Sequence, residues 1–411
     1  MSTSTPRGNR THIAIFGRRN AGKSTLLNAI TGQSVSLVSD IPGTTTDPVS
    51  KPMEMPGIGP AVLIDTAGTD DEGVLGEMRV RRTRQGMDKT DLALLVVRVG
   101  QTDLEEERAL ARELAGRGIP VIVVANRMEE ADGVERTESE DEAETARLTG
   151  VFRQPACIVN TARRTGIPRL LRMIAERTAR GKDGDFLLDG LVAPGDVVVL
   201  VMPQDKQAPK GRLILPQVQV IRELLDRKAL AFAVTDGELP QALAALRRKP
   251  DLVVTDSQVF GKVSQMLDED VPLTSFSILF ARNKGDAAVF REGAEAIDDL
   301  RPGDTVLIAE ACTHHPIKGD ISREKLPNWL MERAGGPLSI HVQAGNDFPD
   351  DLSRYRLIIH CGACMTNRKQ VLSRISKAKE AGVPITNHGM AIAKMTGILD
   401  RAMGPLESMK L

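Results

Sequence analysis

Short apolar runs alternate along this chain with stretches whose apolar residues recur at helical spacing. Residues 12–16, 61–64, 92–97, 120–125 and 157–160 read as strands. Between them, Leu26, Leu27 and Ile30 fall on one helical face, and residues 104–117 and 169–178 carry the same periodicity. Residues 127–147 are acidic and read as a solvated loop plus helix. A polar, glycine-rich stretch at residues 180–190 reads as a linker. The rhythm then resumes, with strands at 196–202, 230–234 and 252–255 and helices at 217–228, 239–247 and 257–267. A third such block has strands at 305–309, 338–342, 356–360 and 383–386 and helices at 368–381 and 390–403. Strands that alternate with helices argue for parallel sheets covered on both faces. The expected fold is therefore α/β, in three domains: an N-terminal P-loop domain and two doubly wound parallel-sheet domains. The expected division is a disordered tail at 1–10, then 11–179, a linker at 180–190, then 191–268 and 269–411.

The P-loop assignment rests on residues 17–24, which match G-x-x-x-x-G-K-[ST] and lie between a predicted strand and a predicted helix. Glycines let backbone N–H groups turn toward phosphate oxygens, and the helix N-terminus adds partial positive charge. Lys23 is placed to reach the β- and γ-phosphates, with Ser24 as a hydroxyl ligand of Mg2+. Thr45, in the run Gly43-Thr44-Thr45-Thr46-Asp47, can add a second Mg2+ hydroxyl. Asp65 ends a strand, where it can hold the metal, and the N–H of Gly68 can sense the γ-phosphate. Such loops are ordered by the γ-phosphate and released on hydrolysis. Lys23, Thr45, Asp65 and Gly68 are thus the candidate catalytic set. Asn20, Ala21, Gly22, Thr25, Asn126, Arg127, Glu129, Thr161 and Ala162 complete the candidate nucleotide contacts.

The N-terminal 160 residues or so resemble the translation-factor class of small GTPases, most closely the potassium-activated branch that includes the MnmE group. Asn20 matches the asparagine that binds the monovalent cation there, and Thr45 matches the Mg2+ ligand. Thr69 follows Gly68, where Ras-like enzymes place a water-orienting glutamine. The resemblance implies GTP with Mg2+ and a K+ that assists hydrolysis. The guanine-reading element departs from Asn-Lys-x-Asp: here it is Asn126-Arg127-Met128-Glu129, one methylene longer at its carboxylate. Thr161-Ala162 stands where the family has Ser-Ala.

Composition sharpens the other end of the chain. Of four cysteines, Cys312, Cys361 and Cys364 lie in the last quarter, as do five of six histidines, among them His314, His315, His360 and His388. Cys361 and Cys364 have the C-x-x-C spacing that grips one metal centre from a turn. Each of Cys312, Cys361 and Asn387-His388 follows a predicted strand, and ligands of open parallel sheets collect at the carboxyl ends of strands. On spacing, Zn2+ in a Cys3His site and a 4Fe–4S cluster both remain open, as do buried unliganded cysteines and a redox pair. Cys157 reads as a core residue of the first domain. Asp205, Asp236 and Asp256, at strand ends, read as turn and cap residues.

A potassium-type GTPase followed by Cys312-x-His314 and then His360-Cys361-x-x-Cys364 resembles the HydF family of FeFe-hydrogenase maturation GTPases across essentially the whole chain. The resemblance implies a central dimerisation domain and a C-terminal 4Fe–4S domain ligated by Cys312, Cys361 and Cys364. His314 or His360 would be the candidate fourth ligand. It also implies a homodimeric scaffold that takes a di-iron precursor from radical-SAM maturases and delivers it to the apo-hydrogenase.

The alternatives are an RNA-modification-associated GTPase with a structural zinc and a switched assembly protein with structural cysteines. Net charge of −1 and 3% aromatics offer little for a nucleic-acid partner. No apolar run approaches the roughly 20 residues of a membrane span, and the N-terminus has no secretory pattern. The expectation is a cytoplasmic protein with no membrane or nucleic-acid partner.

Overall fold

The computed structural model describes residues 6–32, 49–66, 86–127, 137–179, 186–204, 213–311, 321–345 and 347–408. The chain divides into two compact units, residues 1–183 and 184–411.

In the first unit the elements are β1 (Thr11–Phe16), α1 (Lys23–Thr31), β2 (Val49–Met55), β3 (Gly59–Asp65) and β4 (Leu92–Arg98). There follow α2 (Glu105–Gly116), β5 (Val121–Asn126), α3 (Glu138–Phe152), β6 (Ala156–Val159) and α4 (Ile167–Ala179). The six strands form one sheet in the order β2-β3-β1-β4-β5-β6. All pairings are parallel except that of β2 with β3. Both sheet faces are covered, by core clusters around Leu26, Leu63 and Leu170 on one side and Phe16, Leu114 and Phe152 on the other. That two-sided burial is why β4 and β5 are continuous apolar runs rather than alternating ones. The described part of the acidic stretch from residue 138 lies in α3, which Thr137 and Glu140 cap with a reciprocal capping box. The antiparallel edge strand β2 lies outside the strands expected from sequence. Its Lys51, Pro52 and Glu54 break the apolar pattern, and such residues are tolerated at an edge.

The second unit holds β7 (Val197–Val201), α5 (Leu215–Asp226), β8 (Leu230–Val234), α6 (Leu239–Ala245), β9 (Leu252–Thr255), α7 (Phe260–Met266) and β10 (Leu273–Ser275). Next are α8 (Phe276–Lys284), α9 (Ala287–Glu295), β11 (Thr305–Ala309), α10 (Leu326–Ala334), β12 (Ser339–Gln343) and β13 (Leu357–His360). The chain closes with α11 (Arg368–Glu380), β14 (Ile385–Asn387), α12 (His388–Met395) and α13 (Leu399–Glu407). Two four-stranded parallel sheets result, ordered β10-β9-β7-β8 and β12-β11-β13-β14. The α/β fold with parallel sheets after the P-loop unit is as the patterning predicts.

Three details differ from that patterning. Residues 390–403 read as one helix, but Gly397 at φ 74° ends it and starts a second one at Leu399. Helix α8 is buried almost all round, so it has no polar face from which a helical period could be read. Leu187 and Leu188, within the expected linker, are buried, and their N–H groups donate to the Glu223 carboxylate at 2.7 and 2.9 Å. The expected boundary at 268/269 falls inside this unit, and one core cluster runs across it from Val199 and Phe260 to Leu307 and Met390.

Candidate functional site

The carboxyl ends of the first unit's strands carry the candidate nucleotide site. After β1 the chain turns through Asn20, at φ 60°, and Gly22, at φ 93°, before α1 begins at Lys23. Both are left-handed conformations, which glycine adopts freely and asparagine more readily than most residues. Gly17 approaches β4 so closely that a Cβ would lie 2.5 Å from the Val96 carbonyl oxygen. Lys23 Nζ folds over the loop and donates to the carbonyls of Gly17 and Arg18 at 3.0 and 2.8 Å. Ser24 Oγ donates to Asp65 Oδ2 at 2.7 Å, so the hydroxyl and carboxylate expected to share Mg2+ are already adjacent. Burial raises the Asp65 pKa, while the Ser24 hydrogen bond and the Lys23 charge oppose the shift.

Asn126 is fully buried at the end of β5, and its Nδ2 donates to the Ala21 carbonyl at 3.3 Å, tying the end of that strand to the P-loop. The Arg127 guanidinium pairs with the Asp141 carboxylate on α3. Thr161 and Ala162 lie in the turn after β6, which the Asn160–Thr165 bridge closes. Arg98, which sequence reading passed over, donates from Nε and Nη2 to the Asn20 carbonyl at 3.3 and 3.0 Å. Thr45, Gly68 and Glu129 lie outside the described residues.

In the second unit, parallel register sets Ala309, His360 and Asn387 side by side at the tips of β11, β13 and β14. Cys361 and Cys364 sit in the loop that follows β13, and burial raises both thiol pKa values. Cys361 N–H donates to the Ala309 carbonyl at 3.0 Å. The Ala311 N–H in turn points at Cys361 Sγ, 3.0 Å away. An N–H aimed at sulfur is the kind of contact that stabilises a thiolate and tunes a metal bound to it. Ala311 immediately precedes Cys312, which lies outside the described residues with His314 and His315. Among the described residues, no group of three or more His, Cys, Asp or Glu side chains is arranged to hold a metal ion. The described side therefore offers two thiols as metal donors, with a backbone N–H hydrogen-bonding to one of them. Two thiols are chemically suited to a soft metal centre.

His360 is buried with both ring nitrogens engaged. Nδ1 lies 2.7 Å from the Cys361 carbonyl, and Nε2 lies 2.8 Å from Arg374 Nη1. The carbonyl accepts only and the guanidinium donates only, so the proton sits on Nδ1. Burial, with Arg374 alongside, depresses the His360 pKa to about 3. Arg374 continues to the Gly345 carbonyl at 2.6 Å and stacks over Phe348. Neither Arg374 nor Lys284, which binds the cysteine loop from below, stood out in sequence. Each sits in an ordinary polar context, and nothing in a pattern of charges marks which of them the fold will bury. Cys157, by contrast, is a fully buried residue of the first unit's core, as expected.

Comparison with known proteins divides along the same line. Residues 12–127 match the 50S ribosome-binding GTPase model. The tRNA modification GTPase MnmE of Heliobacterium modesticaldum is 35% identical over 171 residues, covering 41% of this chain and 34% of the relative. GTPase Der of the same organism is 31% identical over 176 residues, covering 41% of this chain and 40% of the relative. The chain thus spans well under half the length of these curated relatives. Among solved structures, Era of Aquifex aeolicus bound to GDP and AlF4− aligns at 18% identity with a TM-score of 0.35, covering 57% of this chain and 97% of Era. Beyond the GTPase region, residues 187–285 match the hydrogen maturase F dimerization domain and residues 288–405 its tetramerization domain. Those two models together account for more than half of the sequence, and with a GTPase domain ahead of them the chain belongs to the hydrogen maturase F family.

Proposed function

We propose that this chain is a GTP-hydrolysing scaffold of FeFe-hydrogenase maturation. It would hold a 4Fe–4S cluster on Cys312, Cys361 and Cys364 and pass a di-iron precursor to the apo-hydrogenase. The observation that carries the reading is the coexistence of two preformed half-sites. Ser24 is hydrogen-bonded to Asp65 in a P-loop unit, and a half-buried thiol pair with an N–H aimed at Cys361 lies within the hydrogen maturase F regions.

In this reading Ser24, with Thr45 and Asp65, holds Mg2+, and Lys23 neutralises charge on the β- and γ-phosphates. Asn20 takes a K+ that assists hydrolysis, and Gly68 senses the γ-phosphate. Asn126, Arg127 and Glu129 read the base, closed over by Thr161 and Ala162. A cluster held by three thiolates would supply one iron position open to exchange, which suits reversible carriage of a second iron unit. His360 is engaged at both nitrogens and acts as a support for the Cys361 backbone. His314 is then the remaining candidate for a weak, displaceable ligand at that exchangeable position. The partners are a second copy of the chain, radical-SAM maturases and the apo-hydrogenase, in the cytoplasm. Among the described residues no helix is long and apolar enough to cross a membrane.

Anaerobic purification tests the reading. Brown protein with about four irons per chain is expected. Colourless protein with a single zinc would instead favour an RNA-modification GTPase with a structural metal. Cys361→Ser should lower iron content and leave GTP hydrolysis intact, whereas Lys23→Ala should abolish hydrolysis and keep the iron. Loss of both properties in either variant would contradict two separable sites.

A further inference from the structure

The loop that carries the thiol pair is gripped by a buried cation. Lys284 is the last residue of α8 and only 4% exposed. Its ammonium donates to the carbonyls of Ala363, Cys364 and Thr366 at 3.1, 3.3 and 2.7 Å. These are three donors on three acceptors, all within four residues of one another in the cysteine loop. The ammonium also lies 5.3 Å from the centre of the Phe280 ring.

Two features make this more than packing. An ammonium is expensive to bury, and a methionine would fill the same volume at the end of α8 without that cost. The loop also needs an external hold, because Ala363 has φ 56°, a conformation that residues with a Cβ rarely adopt. Its carbonyl already accepts from Thr366 Oγ1 at 3.2 Å and the Thr366 N–H at 3.3 Å. Lys284 draws that strained turn together from outside. It does so from a rigid element: Ser275 caps α8 by accepting from the Ile278 N–H, and the helix packs against α5, α11 and α12.

We propose that Lys284 is a positioning residue for the thiol pair. By gathering the Ala363, Cys364 and Thr366 carbonyls it fixes the geometry in which Cys361 and Cys364 grip one metal centre. It also keeps a positive charge beside a centre that is anionic once thiolates bind it. The inference rests on the metal-site reading of the preceding subsection. Outer groups of this kind are worth about 10- to 100-fold in metal affinity.

The test uses the full chain, with Co2+ alone as probe of the apo thiols and iron–sulfur reconstitution in parallel. Lys284→Met should keep GTP hydrolysis and oligomeric state but bind Co2+ about 10- to 100-fold more weakly. Its reconstituted cluster should show a more negative midpoint potential, because the lost charge favoured the reduced, more anionic form. Lys284→Arg keeps the charge but not the three-way fit. It should hold the wild-type potential while weakening Co2+ binding, and it carries the test should Lys284→Met not fold. Wild-type Co2+ affinity in either variant overturns the proposal. A Co2+ spectrum left unchanged by Cys361→Ser would instead sink the metal-site reading itself.

Discussion

Gly22 is constrained twice over. Its φ of 93° is left-handed, and a Cβ built there would lie 2.0 Å from Asn126 Nδ2. Alanine at this position pays a left-handed penalty of about 1–2 kcal/mol and must also displace the residue expected to read the base. We expect Gly22→Ala to weaken GTP binding at least about tenfold, measured by nucleotide titration. Cys157 gives a second residue-scale test. Burial pushes its thiol from the ordinary 9.0 to about 11, so the folded chain retains a proton that the unfolded chain has lost between those values. Stability from this group is therefore full below about pH 9 and is lost as pH rises toward 11. Melting temperature should fall across that window, and Cys157→Ala should flatten the slope. The P-loop residues were legible in sequence because their chemistry demands fixed types at fixed spacing. The contacts of His360 were not legible, because its partner Arg374 lies fourteen residues further along the chain.

At the scale of elements, β8 is the unusual one. It is an edge strand, pairs only with β7 among the described strands, and is wholly apolar, yet Leu230 is 54% and Phe232 39% exposed. Val218 and Leu225 on the neighbouring helix α5 are exposed as well. An unprotected apolar edge is a template for pairing with another strand. It lies in the region matched by the dimerization model. We expect a second copy to cover it, and Phe232→Glu to shift the chain toward monomer in light scattering without loss of GTP hydrolysis. A dimer of unchanged stability would place the interface elsewhere. The strand itself was readable in advance as an apolar run. Its exposure was not, because a run buried by its own sheet and one buried by a partner look alike in sequence. The same ambiguity hid α8, whose apolar residues fill nearly every face.

At the scale of the whole molecule, the second unit behaves as one body although family models divide it between residues 285 and 288. Its largest core cluster takes Val199, Val253 and Phe260 from one sheet layer and Leu307, Ile358 and Met390 from the other, with Phe290 among them. Elements that share a core unfold together, so the thiol loop inherits its rigidity from the whole unit. Phe260 is fully buried in that cluster and far from the cysteines in sequence. Phe260→Ala should cost about 3–5 kcal/mol. We expect that loss to appear as a lower melting transition for the entire second unit, with metal retention falling in parallel, while the transition of the GTPase unit stays in place. Calorimetry of the full chain distinguishes the cases: two transitions, of which only one moves, match a shared core. Three transitions, with the thiol-bearing layer unaffected by Phe260→Ala, would mean that the two sheets of the second unit are energetically separate.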